Sequence, residues 1–290
     1  MTATFGVVLL TMGNRPAELA RAVDSVLAQR DVEVDVVVVG NGWDPTGLPE
    51  GVRGVHLWEN LGIPAGRNAG VAHVTGEFLF FLDDDSWLLD DGFLAECAAR
   101  LRADPGLGMI QPRILDPARP GDAPRRWIPR MWKRSATLSS PVFSVLETAL
   151  VLPRALFDRT PGWPAPFFYA HEGIEMAWRV WDQGVRVEYH GDLAVGHPIV
   201  EPGRHDDYLY RNARNRIWLA RRNLHWPVSW LYVASWTAVH IVRARRVEHV
   251  WWRGWRDGWI KLPWPPGARP RKLRWRTLWQ MTRHGRLPIL

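Results

Sequence analysis

The chain has 290 residues, 47% of them hydrophobic and 23% charged, which allows a full core in one large or two small domains and excludes wholesale disorder. Its one cysteine, Cys97, excludes an intrachain disulfide framework and a cysteine-built metal cluster. The net charge of +7 is unevenly spread: residues 1–200 hold 18 Lys and Arg against 25 Asp and Glu, while residues 201–290 hold 19 against 5 and carry 11 of the 19 tryptophans.

Phe5 to Thr11 reads as a buried strand and not as a signal peptide, since no basic segment precedes it. Gly13-Asn14-Arg15-Pro16 breaks it, with Asn14 expected as an N-cap and Pro16 in the first helical turn. Leu19, Val23, Val26 and Leu27 then recur at helical spacing, and Val34 to Val39 is a β-branched second strand ending in Gly40-Asn41-Gly42. Strand, helix and strand joined this closely make a right-handed βαβ unit. Val55 to Trp58 is a third strand. Asn60 to Gly70 is a glycine-rich turn opening a helix, whose exposed N–H groups favour an anion.

The central stretch is Glu77 to Leu88, EFLFFLDDDSWL. An unbroken apolar run fits a strand buried on both faces, and ligands gather at the carboxyl ends of such strands. Asp83, Asp84 and Asp85 repel one another unless something positive lies among them, and a divalent cation is one candidate. If the segment stays extended, Asp83 and Asp85 point one way and Asp84 the other. The plainer alternative is a solvated acidic turn with Asp85 or Ser86 capping.

Asp91 is expected to cap a helix carrying Phe93, Leu94, Cys97, Ala98 and Leu101, closed at Asp104-Pro105-Gly106. Met109 to Leu115 is a strand, residues 116–141 a mobile loop rich in Pro and Arg, and Leu146 to Leu152 another strand. Pro153 to Phe157 forms a helical turn, and Thr160 to Phe168 a surface loop. A helix follows and ends at Gly184, with Glu172 and Glu175 one turn apart near its positive end. Glu175 and Arg179 are spaced for a salt bridge. Val185 to Tyr189 is a strand, and His197 stands in the loop beyond it. Residues 206–224 form a basic helix with Arg211, Arg214 and Arg216. Further helices with Trp and Arg clusters follow, none with an apolar run long enough to promise a membrane span.

Taken in order, these motifs resemble the family-2 glycosyltransferases of the GT-A fold. The resemblance rests on Thr11 through Arg15, on Asn60-Leu-Gly with Gly66-Arg-Asn-Ala-Gly70, on Phe81-Leu-Asp-Asp-Asp-Ser-Trp87 as a DxD motif, and on Phe168 through Arg179 with the downstream His197. It covers about residues 4–225. It implies an α/β, Rossmann-like three-layer sandwich with a mostly parallel sheet over residues 1–225, and leaves 226–290 as a helical, basic, Trp-rich extension.

The resemblance implies inverting transfer of a sugar from a UDP-, GDP- or dTDP-sugar to a hydroxyl of a carbohydrate, lipid-linked or small-molecule acceptor, with Mg²⁺ or Mn²⁺. Carried onto this chain, Asp83, Asp85 and His197 face the metal, with Asp83 and Asp84 also toward the donor. Thr11 and Arg15 lie by the nucleobase and ribose, Asn41 by the base and Arg67 by the nucleotide. Arg211, Arg214 or Arg216 folds over the diphosphate. Two positions depart from the family pattern. Gly173 stands where the family carries the aspartate assigned as base, which leaves Glu172, the preferred candidate, or Glu175. Asn41 stands where relatives carry an acid.

The last 65 residues suggest peripheral attachment to an anionic membrane, on the cytoplasmic inner face, with a packed hairpin or an oligomer interface as rivals. On the residues alone, a nucleotidyltransferase and a non-catalytic nucleic-acid or membrane binder are the alternative classes, and nucleic acid is not expected as a partner.

Overall fold

The computed structural model describes all residues except 120, 125–126, 130–134, 200–206, 245–247, 265–267, 270 and 285–290. Alternation along the strands sets the two faces of its sheet. β1 (Ala3–Thr11) sends Phe5, Val7 and Leu9 to one side and Val8 to the other. β2 (Val32–Asn41) repeats this with Val36 and Val38 against Val37 and Val39, and β4 (Phe78–Asp83) with Phe78, Phe80 and Leu82 against Leu79 and Phe81. With both faces covered, these strands read as continuous apolar runs.

β3 (Val52–Leu57), β2, β1 and β4 run parallel in that order. β8 (Ala149–Pro153) then pairs antiparallel to β4, β6 (Leu107–Leu115) antiparallel to β8, and β9 (Arg186–Gly196) parallel to β6. Two short strands, β5 (Trp87–Leu88) and β7 (Ser140–Pro141), pair with β9. One helical layer holds α1 (Pro16–Leu27) and α3 (Phe93–Ala103). The other holds α2 (Ile63–Val71), the single turn α4 (Arg154–Phe157) and α5 (Glu172–Asp182). This is the expected three-layer α/β architecture, with an antiparallel strand inserted beside β4.

The C-terminal helices are α6 (Tyr208–Asn223), α7 (Trp226–Arg243), α8 (His249–Ile260) and α9 (Trp275–Arg283). Tyr232, Val233, Leu273, Leu278 and Met281 share a buried cluster with Trp178 and Trp181 of α5. Asp182 accepts hydrogen bonds from the Arg274 amide at 2.8 Å and the Thr277 hydroxyl at 2.6 Å. The extension therefore packs on the α/β body.

Several local expectations change. Asn14 is exposed and Arg15 takes the N-cap position of α1, while Gly92, and not Asp91, precedes α3. The surface loop before α5 carries two buried anchors, Trp163 and Phe167. The strand expected over Val185 to Tyr189 continues to Gly196, because a register shift against Pro112 and Arg113 absorbs the extra residues and lets pairing resume at Ala194. Of the loop 116–141, residues 120, 125–126 and 130–134 lie outside those described.

Candidate active site

The carboxyl ends of β1, β2, β4 and β9 and the N-terminal ends of α2 and α5 meet at one edge of the sheet. The acidic stretch does not stay extended there. β4 stops at Asp83, and the Ser86 amide donates back to the Asp83 carbonyl at 3.1 Å, closing a tight turn. The expected alternation is therefore corrected: Asp84 and Asp85 grip the same guanidinium, and Asp83 turns to another. Arg15 pairs with Asp84 at 2.9 Å and also with Asp85. Arg67 donates to Asp83 at 2.7 Å and to the Glu147 carbonyl at 2.9 Å.

Burial pushes the Asp84 carboxyl up to about 6, against the Thr11 hydrogen bond and the Arg15 charge, with Asp85 and Asp83 adding to the rise. Burial also pushes Asp85 upward, but a hydrogen bond and the charge of His197, then Arg15, outweigh it and hold Asp85 low. The His197 Nε2 lies 3.3 Å from Asp85, and the ring packs edge-on against Trp127 at 5.2 Å. Burial disfavours charge on His197, yet Asp85 and Asp83 raise its pKa overall.

Arg67 is 2% exposed, and its guanidinium sits 4.9 Å from the Trp163 ring. It can lie so deep because α2 presses on β1: a Cβ at Gly70 would come within 2.5 Å of Val8. Asn41 is fully engaged within the protein, donating to Asn60 at 2.9 Å and accepting from the Leu61 amide at 2.8 Å. It staples β2 to the glycine-rich turn, so its expected contact with a nucleobase finds no free side-chain group in this structure.

The turn into α5 places Phe168, Ala170 and His171 at φ of 66°, 72° and 72°, a conformation costly for side-chain-bearing residues. Asn215 of α6 holds this turn, donating to the carbonyls of Phe167, Tyr169 and Ala170 at 3.0, 2.7 and 2.9 Å. Arg214 donates to the Phe167 carbonyl at 2.9 Å and stacks on Trp218 at 4.0 Å. Arg214 is therefore a clamp on the turn and does not face the cleft. Arg216 lies over Trp236 at 4.1 Å, in the C-terminal helices. Of the three expected lid arginines, Arg211 keeps a place near the turn, over the Phe168 ring at 4.0 Å and paired with Asp207 at 3.0 Å.

Glu172 opens α5, 2% exposed, with its Oε2 buried and unpartnered. Burial, then the neighbouring Glu147, pushes its pKa up to about 8. Glu175, the other candidate base, faces α6 instead. Arg222 donates to both its oxygens at 2.9 Å each from Nε, and Arg179 lies 3.8 Å away. Its oxygens are taken by an internal ion pair, which removes it from the choice. Glu147 and Asn215 were not singled out from the sequence, and Arg222 was read there only as one of the arginines of a basic helix. Only Glu147 carried a signal, an acid at the start of an apolar strand.

The family described as Glycosyl transferase family 2 matches residues 7–160. The chain belongs to that family. Its matched span holds the second half of β1, the glycine-rich turn, the three aspartates and Glu147, and the fold and family expected from the motifs stand. This glycosyltransferase is 24% identical over 208 residues to the Pre-mycofactocin glycosyltransferase of Mycobacterium tuberculosis, an alignment spanning 66% of this chain and 42% of that protein. Among solved structures, GalNAc-T7 with UDP, GalNAc and Mn²⁺ superposes with a TM-score of 0.62 at 15% identity, over 89% of this chain and 54% of that one. The mannosyltransferase PcManGT from Pyrobaculum calidifontis, with GDP-Man and Mn²⁺, gives 0.57 at 17% identity over 100% and 78%. TarS 1-349 of S. aureus with UDP-GlcNAc gives 0.60 at 16% identity over 88% and 79%. At these identities the likeness concerns the fold.

Proposed function

We propose that this glycosyltransferase moves a hexosyl or deoxyhexosyl unit from a nucleoside-diphosphate sugar to an acceptor hydroxyl, with inversion, in the building of a cell-surface polysaccharide or glycolipid. One observation carries the reading: a turn of three carboxylates at the sheet's carboxyl edge, held by Arg15 and Arg67, with a buried glutamate at the start of α5 across from it.

No three of the described His, Cys, Asp and Glu side chains converge as a metal cage. The donor set nevertheless fits a divalent cation shared with a substrate. Asp85 and His197 bring a hard oxygen and an imidazole nitrogen 3.3 Å apart, the His197 Nδ1 is buried without a partner, and Asp83 keeps a third of its side chain open. Magnesium-type sites commonly use one or two protein ligands and take the rest from phosphate and water. Asp85, His197 and Asp83 would hold the ion, whose chemistry is to stabilise charge developing on a departing diphosphate. Arg15 and Arg211 supply further positive charge on the donor side, and Thr11 and Asp84 line the floor. Glu172, buried at the start of α5, marks the carboxyl site that takes up the acceptor's proton as the new bond forms.

The test is to incubate the chain with Mn²⁺ and UDP-, GDP- and dTDP-sugars, using water and methanol as surrogate acceptors. Nucleoside diphosphate release is measured, and the anomeric configuration of the product is read by NMR. One donor class is expected to react, with an inverted product. A retained anomer would contradict the inverting reading, and no release from any donor would contradict the donor class.

A further inference from the structure

Position 173 is occupied in space although its residue has no side chain. A Cβ built on Gly173 would lie 2.6 Å from the carboxyl carbon of Glu147. The Glu147 Oε1 fills that volume and accepts the Gly173 amide at 2.5 Å. Glu147 arrives from the segment before β8 and reaches the N-terminal end of α5. Its neighbour Thr148 accepts the Asp83 amide at 2.9 Å, which ties it to the carboxylate turn. It also keeps part of its surface open, whereas Glu172, next to Gly173, is 2% exposed.

We propose that Glu147 is a catalytic carboxylate of this glycosyltransferase, acting with Glu172 as a pair that holds one proton and takes a second from the acceptor hydroxyl. This deepens the reading of the site given above and rests on it. In the resting pair Glu147 carries the negative charge, because the Gly173 amide at the positive end of α5 donates to it and the charge of Arg67, bonded to the Glu147 carbonyl, favours its ionised form. Glu172 carries the proton. When the acceptor attacks, its O–H proton passes to Glu147. The oxygen forms a bond to the anomeric carbon, the bond from that carbon to the phosphate oxygen breaks, and its electron pair leaves with the diphosphate. Both carboxyls are then neutral, and the transferred proton goes to water as the product departs.

The electrostatics agree with the geometry. Burial raises the pKa of both glutamates, and the charge of each neighbouring acid, including Asp83, raises it further while Arg67 opposes. Two such groups cannot both ionise cheaply, so their protons leave in two separated steps. The Tyr169 hydroxyl is pushed up to about 12 by burial and then by the charges of Glu172 and Glu147.

The test compares E147Q, E172Q, E147A and E147D, using the donor found active above with methanol as acceptor. E147Q keeps the size of the side chain and an oxygen for the Gly173 amide. It is expected to lose about 10²–10⁴-fold in kcat, with little change in KM for the donor and with loss of the rise in turnover that follows the first ionisation of the pair. E147D, which keeps a carboxylate, should retain activity over E147A; a Cβ at 173 would still meet the Val145 carbonyl oxygen at 2.6 Å, so the carboxylate has to come from position 147. Wild-type kcat and an unchanged pH profile in E147Q would overturn the proposal while leaving the site reading intact. A wild-type protein that consumes no donor would instead sink the site reading itself.

Discussion

A carboxyl group sealed from water holds its proton, and Glu172 is such a group. Its folded pKa is raised to about 8 by burial and by Glu147, so its neutral form is the one the fold favours. The stability it contributes is fully present below the ordinary glutamate range and is withdrawn as pH rises through about 8. Glu172→Gln is neutral at every pH and should flatten that loss. Thermal midpoints at pH 6 and 9 are expected to fall more steeply in the wild type than in the variant. Equal slopes would show that Glu172 is solvated. For catalysis the sign reverses: the pair must be singly ionised to take a proton, so turnover should climb with pH in the wild type. The candidate residues were legible one at a time, as acids and arginines at strand ends. Their partners were not. A turn at Asp83-Asp84-Asp85 was legible only as a solvated alternative, since neither glycine nor proline marks it, and the match between Gly173 and Glu147 joins positions 26 residues apart.

At the scale of elements, α5 and α6 are joined through charge as well as apolar contact. Glu175 and Arg222 form a bidentate pair with both side chains at or below 5% exposure, and Arg222 also donates to the Pro263 carbonyl. Removing one charge from such a pair strands the other. Glu175→Gln should therefore cost about 3–5 kcal/mol in stability by chemical denaturation. It should leave nucleotide affinity nearly unchanged in protein that remains folded. Unchanged stability with lost turnover would return Glu175 to the list of catalytic groups. The strands and helices themselves were readable because period-2 and helical patterns of burial are local properties. β5 and β7, each of two residues, carry too few positions to show a period. The extension of β9 depends on pairing with β6 across its register shift, which lies outside any local window.

At the scale of the molecule, the basic end divides its tryptophans between two tasks. Trp218 and Trp251 are buried, whereas Trp226, Trp230, Trp275 and Trp279 are 74%, 50%, 58% and 67% exposed. Composition could not tell these groups apart, since a tryptophan suits a core and an interface equally. Among the described residues no helix is long and apolar enough to cross a membrane. The peripheral attachment to an anionic membrane proposed from the sequence would use these exposed tryptophans and the arginines among them. Because Leu273, Leu278 and Met281 belong to the main core, truncation would damage the fold, and surface substitution is the cleaner probe. The full chain should float with phosphatidylglycerol vesicles and not with neutral ones. The variant with Ser at 226, 230, 275 and 279 should float less, and added salt should weaken both. Equal flotation of variant and wild type would remove the membrane reading.

The account turns on whether the edge of the sheet by Asp85 grips a nucleoside diphosphate with the help of a cation, and calorimetry measures that directly. Titrating UDP, GDP and dTDP into the wild type and Asp85→Ala, each with Mn²⁺ and with chelator, should show one nucleotide bound by the wild type with Mn²⁺. That binding should be lost on chelation and in the variant. Equal affinity in Asp85→Ala, or binding indifferent to chelation, would contradict it.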